Sequence, residues 1–502
     1  MWLQKRRETI PLHERRLPFC GTALGLVATA LVAFCSVSLL AQGPGNDSNQ
    51  ANWNNQGQGW QQRHHRVWPD TASRIIPYND QVGDGGLTTQ GNGTPFTEAQ
   101  IQFFATHYAG TQKMTTAAAE TLRQYNPNFL IMHYRLGQAL GYGICDANGN
   151  PTDVDPVGIF DVTYIPEWPT VVPEYLTDPS LYNNYFYYYD NAKVYACGAQ
   201  NYLMNIADPG WRAAYSAAVL KELKDNQDDA VFADFYSIPN YLGAYPSLPA
   251  LDIPFEDAWA KMEYSFNDYM RAQLHGRWPW IPNAGSWVTT RDPDIEYSNV
   301  DGVMIEDFAD YGNANFLATA DWVTQMDRAL SITETNRILI GQTYVAPYGN
   351  SSYGLPERLF VTGSYLLVKG NHTYLNLAAI GETIEWFPEY DIDLGPPTDP
   401  LPKNNDITKY WNATWGVYVR HYAHGMVLVN SINAQDGIAP TPITLDKTYY
   451  EVVGDVATSA DVPVPANGIP DSNNKLLYQA VKGLTVCNDC AAILLDHPPS
   501  SK

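Results

Sequence analysis

Basic side chains are in short supply. The 502 residues hold 30 Lys and Arg against 53 Asp and Glu, a formal net charge of −23 at pH 7. A folded surface of that sign repels phosphate backbones and anionic lipid headgroups. Nucleic acid is therefore excluded as a partner, and membrane contact is left to the N-terminal segment alone. Histidine is also scarce, at 10 residues, and its one tight pair is His64 and His65. No metal-ligand spacing is legible, so neither a metal nor an organic cofactor is expected. The stretches Gly83–Gly86 and Gly91–Gly93 do not fit a dinucleotide GxGxxG turn. A GxSxG serine turn is missing too.

Cysteine is limited to six residues. Cys20 and Cys35 sit in an apolar N-terminal run, from about Gly21 to Ala41, that follows Lys5, Arg6, Arg7, Arg15 and Arg16. A basic flank before such a run is an export signal, and this run is also just long enough to span a bilayer. Residues 1–41 are thus expected to be a signal peptide or a membrane anchor. Export favours disulfides. The four remaining cysteines allow three connectivities, of which Cys145–Cys197 and Cys487–Cys490 are expected. Residues 42–70, rich in Gly, Asn and Gln, read as a flexible tether.

What the chain has is a long alternation of apolar strands and amphipathic helices. Strands are expected at 74–78, 110–113, 129–135, 230–235, 280–283, 302–306, 338–342 and 374–377, with helices between them. One helix should open at Asp208-Pro209-Gly210, with Asp208 capping it. Near-continuous apolar strands alternating with helices argue for a parallel sheet buried on both faces. Eight such units over residues 71–400 predict a (β/α)8 TIM barrel. A doubly wound open sheet is the alternative. Residues 136–200 are a long, Tyr- and Pro-rich insertion. From Asn412 helical periodicity gives way to short strands, which predicts a C-terminal β-sandwich over 412–497.

Two strands end alike. Ala230-Val231-Phe232-Ala233 runs into Asp234, and Gly302-Val303-Met304-Ile305 runs into Glu306. In a barrel the C-terminal strand tips converge on one mouth. Glycosidic bond cleavage needs two carboxyl groups, one to protonate the leaving oxygen and one to attack or activate water. Asp234 and Glu306 are the candidate catalytic pair. A single acid at such a place is as readily a helix cap or a partner of a buried Arg. The matched pair on alternate strands favours chemistry. Asp307 and Arg135 are assigned supporting roles. His133, Tyr134, Tyr236, Asn283, Trp287, Gln342, Tyr344 and Trp386 are candidates to line the mouth, although rim packing is the plainer reading for each aromatic. The aromatic share of 13%, with 14 Trp and 34 Tyr, suits sugar stacking as well as an ordinary core.

The motifs DPGW at 208–211, VFADF at 231–235, DGVMIEDF at 301–308, PEYDIDLGPP at 388–397, GMVLVN at 425–430 and AAILL at 491–495 occur in this order. Together they resemble a glycoside hydrolase family with a TIM barrel and an appended β-sandwich, in the style of polygalactosaminidase-like and α-galactosidase-like barrels. The resemblance covers roughly 70–497. It implies catalytic acids at the tips of strands four and six, which fall on Asp234 and Glu306. The expected function is an extracytoplasmic glycosidase acting on a poly- or oligosaccharide. The alternative is a non-catalytic polysaccharide-binding or structural surface protein on the same scaffold.

Overall fold

The computed structural model describes residues 66–140, 183–196, 201–240, 245–288, 296–345, 354–379, 383–455 and 462–498. The export segment, most of the tether, and Cys145 and Cys197 lie outside these.

The chain first runs extended through Ile76–Tyr78, and the elements then alternate. Helix α1 (Glu98–His107) is followed by β1 (Gly110–Gln112), α2 (Thr116–Tyr125) and β2 (Leu130–Leu136). The insertion adds short strands β3 (Ala139–Leu140), β4 (Tyr188–Tyr189), β5 (Ala192–Lys193), β6 (Tyr195–Ala196) and β7 (Asn201–Leu203). Alternation resumes with α3 (Pro209–Asp225), β8 (Ala230–Asp234), α4 (Ile253–Leu274), β9 (Trp280–Pro282) and β10 (Gly302–Glu306). It ends with α5 (Thr319–Thr333), β11 (Ile338–Tyr344), α6 (Gly354–Val368) and β12 (Thr373–Ala378). The helix starts follow from local chemistry. Thr97 and Gln100 form a reciprocal capping box at α1, and Asp208 accepts from the Gly210 and Trp211 amides at α3.

The strands form two parallel sheets, β1-β2-β8-β9 and β10-β11-β12. A parallel bridge between Asn283 and Met304 joins β9 to β10. On the other side the Ile76–Tyr78 segment lies between β12 and β1. Tyr78 N–H donates to Leu375 O at 3.1 Å, and Ala109 N–H donates to Pro77 O at 2.9 Å. The fold is mixed α/β, and its core has two parts divided by strand pleat. Side chains of one parity, among them Met132, Phe232, Ile281, Met304, Ile340 and Tyr374, meet in an inner cluster. Those of the other parity, including Ile131, Val231, Val303 and Leu339, pack outward on the helices.

Trp68 closes the strand-start end of the inner cluster, 6.0 Å from the Tyr78 ring and 5.4 Å from that of Tyr374. Arg66 also binds Asp229 at 3.1 Å. The expected tether therefore does not reach residue 70, because Trp68 is worth more as a buried plug than in water.

The C-terminal region forms β13 (Trp411–Asn412), β14 (Val417–Tyr422), β15 (Gly425–Asn430), β16 (Pro442–Asp455), β17 (Leu476–Thr485) and β18 (Cys490–Leu495). Here the structure departs from a two-sheet sandwich. All six strands belong to one sheet in the order β13-β14-β15-β18-β16-β17. One face, with Val427, Val429 and Ile493, shares the main core. The other face has its own cluster of Val419, Leu428, Leu494 and the start of the long β16–β17 hairpin. That hairpin changes register between Thr444 and Tyr449, and its strands were long enough to read as separate elements in the sequence. Cys487 and Cys490 are bonded beside β18, as expected.

Candidate active site

The inner parity, carried two residues beyond each apolar run, places polar side chains at the C-terminal ends of the parallel strands. On β8 it gives Ala230, Phe232, then Asp234. On β10 it gives Met304, then Glu306. On β9 it gives Ile281, then Asn283. On β11 it gives Ile340, Gln342 and Tyr344.

These side chains interlock. Asn283 donates from one amide nitrogen to Asp234 Oδ1 at 2.8 Å and to Glu306 Oε2 at 2.7 Å. The two bonded oxygens are therefore no more than about 5.5 Å apart, a span within reach of one sugar C–O bond. Asp234 accepts twice more, from the Tyr134 hydroxyl on Oδ2 at 2.6 Å and from the Phe235 amide on Oδ1 at 2.8 Å. Glu306 Oε1 accepts from the Tyr344 hydroxyl at 2.7 Å. Gln342, paired in register with Glu306, donates to the Tyr344 oxygen at 2.9 Å.

Burial, then the nearby charges of Asp234 and Asp80, pushes the Glu306 carboxyl up to about 7. The neighbouring Asp307 is also raised, first by burial and then by Glu306 and Asp310.

Six of the expected residues thus converge: Asp234, Glu306, Tyr134, Asn283, Gln342 and Tyr344. The other six do not. His133 and Arg135 flank Tyr134 on β2, so the pleat turns both to the helix side. His133 lies 3.5 Å from Asp228, and burial pushes its ring well below the usual value. Arg135 faces Glu222 and Tyr215 of α3, and burial lowers it to about 10. It does not support the pair. Tyr236 is fully buried, donates to Glu263 O at 3.2 Å and packs edge-on to Trp280. Trp287 stands edge-on to Tyr297 at 5.1 Å. Trp386 is wedged among Phe103, His107 and Tyr390. Both indoles are buried, Trp287 at 5% and Trp386 at 8% exposure, and pack as core residues. Asp307, at φ 61°, sits beyond the strand and not across the pair.

Asp80 and Lys113 were missed. Asp80 follows Tyr78 by two residues at the tip of the first strand, and Lys113 follows Thr111 by two at the tip of β1. Lys113 pairs with Asp80 at 3.3 Å. The same rule that selects Asp234 selects both, but strands this short gave too little pattern for it. A small cavity is walled by Asn79, Asp80, Tyr108, Tyr344, Asn376 and Glu385; it meets the pair through Tyr344, and neither acid lines it.

Residues 178–426 match the model of hypothetical glycosyl hydrolase family 15. Over this stretch the chain is similar to that glycosyl hydrolase family, which supports a glycosidase reading. The matched stretch is just under half of the chain and contains both acids, Asn283 and Tyr344. Asp80 and Lys113 precede it.

Solved structures are similar only at a distance. A maltogenic α-amylase from Thermotoga neapolitana is 10% identical, with 84% of this chain and 98% of that chain covered and a TM-score of 0.36. A GH36 α-galactosidase from Geobacillus stearothermophilus is 9% identical, with 85% and 56% covered and a TM-score of 0.38. An α-L-fucosidase from Paenibacillus thiaminolyticus is 9% identical at a TM-score of 0.35, with 62% of this chain covered, and this chain spans 46% of its length. No curated protein matches the chain in sequence.

Proposed function

We propose that this chain is an extracytoplasmic glycoside hydrolase that cleaves a poly- or oligosaccharide by a two-carboxylate mechanism. Asp234 is the nucleophile and Glu306 the general acid/base. The observation that carries this reading is the single Asn283 amide nitrogen bonded to both acids. The eight parallel segments, linked on both flanks by the Asn283–Met304 and Pro77–Leu375 bridges, support a closed (β/α)8 barrel with the pair at its mouth. The basic flank and apolar run of residues 1–41 support export.

The chemistry follows from the geometry. Three donors fix the Asp234 carboxylate in orientation. Glu306, raised to about 7, holds a proton near neutral pH. Asp234 attacks the anomeric carbon, the glycosidic C–O bond breaks, and Glu306 gives its proton to the leaving oxygen. Water then attacks the same carbon, Glu306 takes its proton, and Asp234 is released. The two Asn283-bound oxygens, no more than about 5.5 Å apart, fit the close spacing of a double displacement better than the roughly 6.5–9.5 Å an inverting enzyme needs to admit a water.

The product should therefore keep its anomeric configuration, as read by proton NMR of a freshly cleaved oligosaccharide. Product of inverted configuration would remove Asp234 from the nucleophile role.

A further inference from the structure

Lys113 is an unusual residue to bury. Its side chain is 2% exposed, and it stands at φ 60° where β1 ends. An ammonium out of water is costly unless it is paired. Its ammonium lies 3.3 Å from Asp80 Oδ2 and 4.6 Å over the centre of the Tyr134 ring. Gln112 donates to the other oxygen of Asp80. The hydroxyl of that same Tyr134 binds Asp234.

We propose that Lys113 is a positioning residue of the carboxylate pair: bound to Asp80 and seated on the Tyr134 ring, it balances the charge of a third carboxylate and holds the tyrosine that binds Asp234. This rests on the reading of Asp234 and Glu306 as the working pair.

The groups that face Glu306 come from several strands. They are Asp234 on β8, Asn283 beyond β9, Tyr344 on β11, Asp80 beyond the Ile76–Tyr78 segment, and Asp307, the next residue in the chain. The charges of Asp234 and Asp80 both favour the protonated form of Glu306. Lys113 is the counterweight to Asp80. Without it the field of Asp80 on Glu306 is unopposed, and Glu306 keeps its proton to a higher pH than an acid that must also act as a base can use. The cation over the ring also draws charge from the phenol and strengthens its donation to Asp234.

The test is the titration of Glu306 in the full-length protein, followed by carbon-13 NMR with labelled glutamate carboxyls. The resonance is assigned by its loss in Glu306→Gln. Lys113→Met should move the titration upward by roughly half to one pH unit, while Lys113→Arg leaves it in place. Asp80→Asn should move it downward. The double variant Lys113→Met/Asp80→Asn, neutral at both positions, should lie between the two singles and near the wild type. An unmoved titration in folded Lys113→Met overturns the proposal. So does a double variant that stays shifted as far as Lys113→Met, which would mark a packing effect. If Lys113→Met does not fold, Asp80→Asn and the double variant decide on the same terms: a downward shift that the double reverses supports the proposal, and no shift overturns it. None of these readings needs hydrolysis, so they stand apart from the loss of activity that Asp234→Asn tests.

Discussion

Asn283 is where the two acids meet. Its amide binds both. Replacing it with Ala removes a donor from each and lets the carboxylates repel without a bridge. The rate of hydrolysis should fall by roughly 10²–10³, the usual loss on deleting one preorganised donor. A kcat within a factor of two of the wild type would show that the bridge is incidental. Glu306 gives a second residue-scale test. Its raised value means that the folded state binds a proton more tightly than the unfolded chain. Stability from this group is complete below the ordinary glutamate range and is lost as pH rises through about 7. Glu306→Gln should therefore exceed the wild-type Tm by clearly more at pH 8 than at pH 5. Equal Tm differences at the two pH values would contradict the shift. On the activity side, the alkaline limb of kcat/KM should fall near 7, where Glu306 gives up its proton. Much of this was legible from strand pleat. Asp234, Glu306 and Asn283 continue the inner parity of clear apolar runs. Reading His133 and Arg135 into the site ignored that parity, since three successive strand residues cannot share one face.

At the scale of elements, α6 is the hinge of the architecture. Every residue from Glu357 to Val368 is buried, which a helix with one wet face never shows. The reason is that α5 and β12 cover one side and the C-terminal sheet the other. Gly363 marks the closest approach: a Cβ there would lie 2.6 Å from the Ala491 Cβ and 3.1 Å from a Val429 methyl. Gly363→Val should destabilise the fold by about 1–3 kcal/mol through overpacking, measured by urea denaturation. A change near zero would mean that the sheet moves freely on the helix. The same helix contributes Arg358, whose guanidinium meets Glu389 at 2.6 Å with both side chains buried. Arg358→Ala strands the Glu389 carboxylate and should cost about 3–5 kcal/mol. That a helix lies between β11 and β12 was visible in the sequence. That a second sheet covers it was not, because nothing local says which element covers a helix.

For the whole molecule, a C-terminal region that packs on α6 and shares its core is part of one folding unit and not a detachable appendage. Deleting residues 412–497 would uncover that helix and should yield insoluble protein. Alternation and parity were enough to read the parallel strands and the β-rich end. The single bent sheet was not legible, because a long bulged hairpin and two short strands look alike in sequence. Folding places two acids, carried by strands far apart in the chain, on one amide. The most direct measurement is reducing-sugar release from a panel of polysaccharides by the wild type, Asp234→Asn and Glu306→Gln. The wild type should cleave at least one of them, and both variants should lose about 10³-fold or more with circular dichroism unchanged. Full activity in either folded variant would contradict the account.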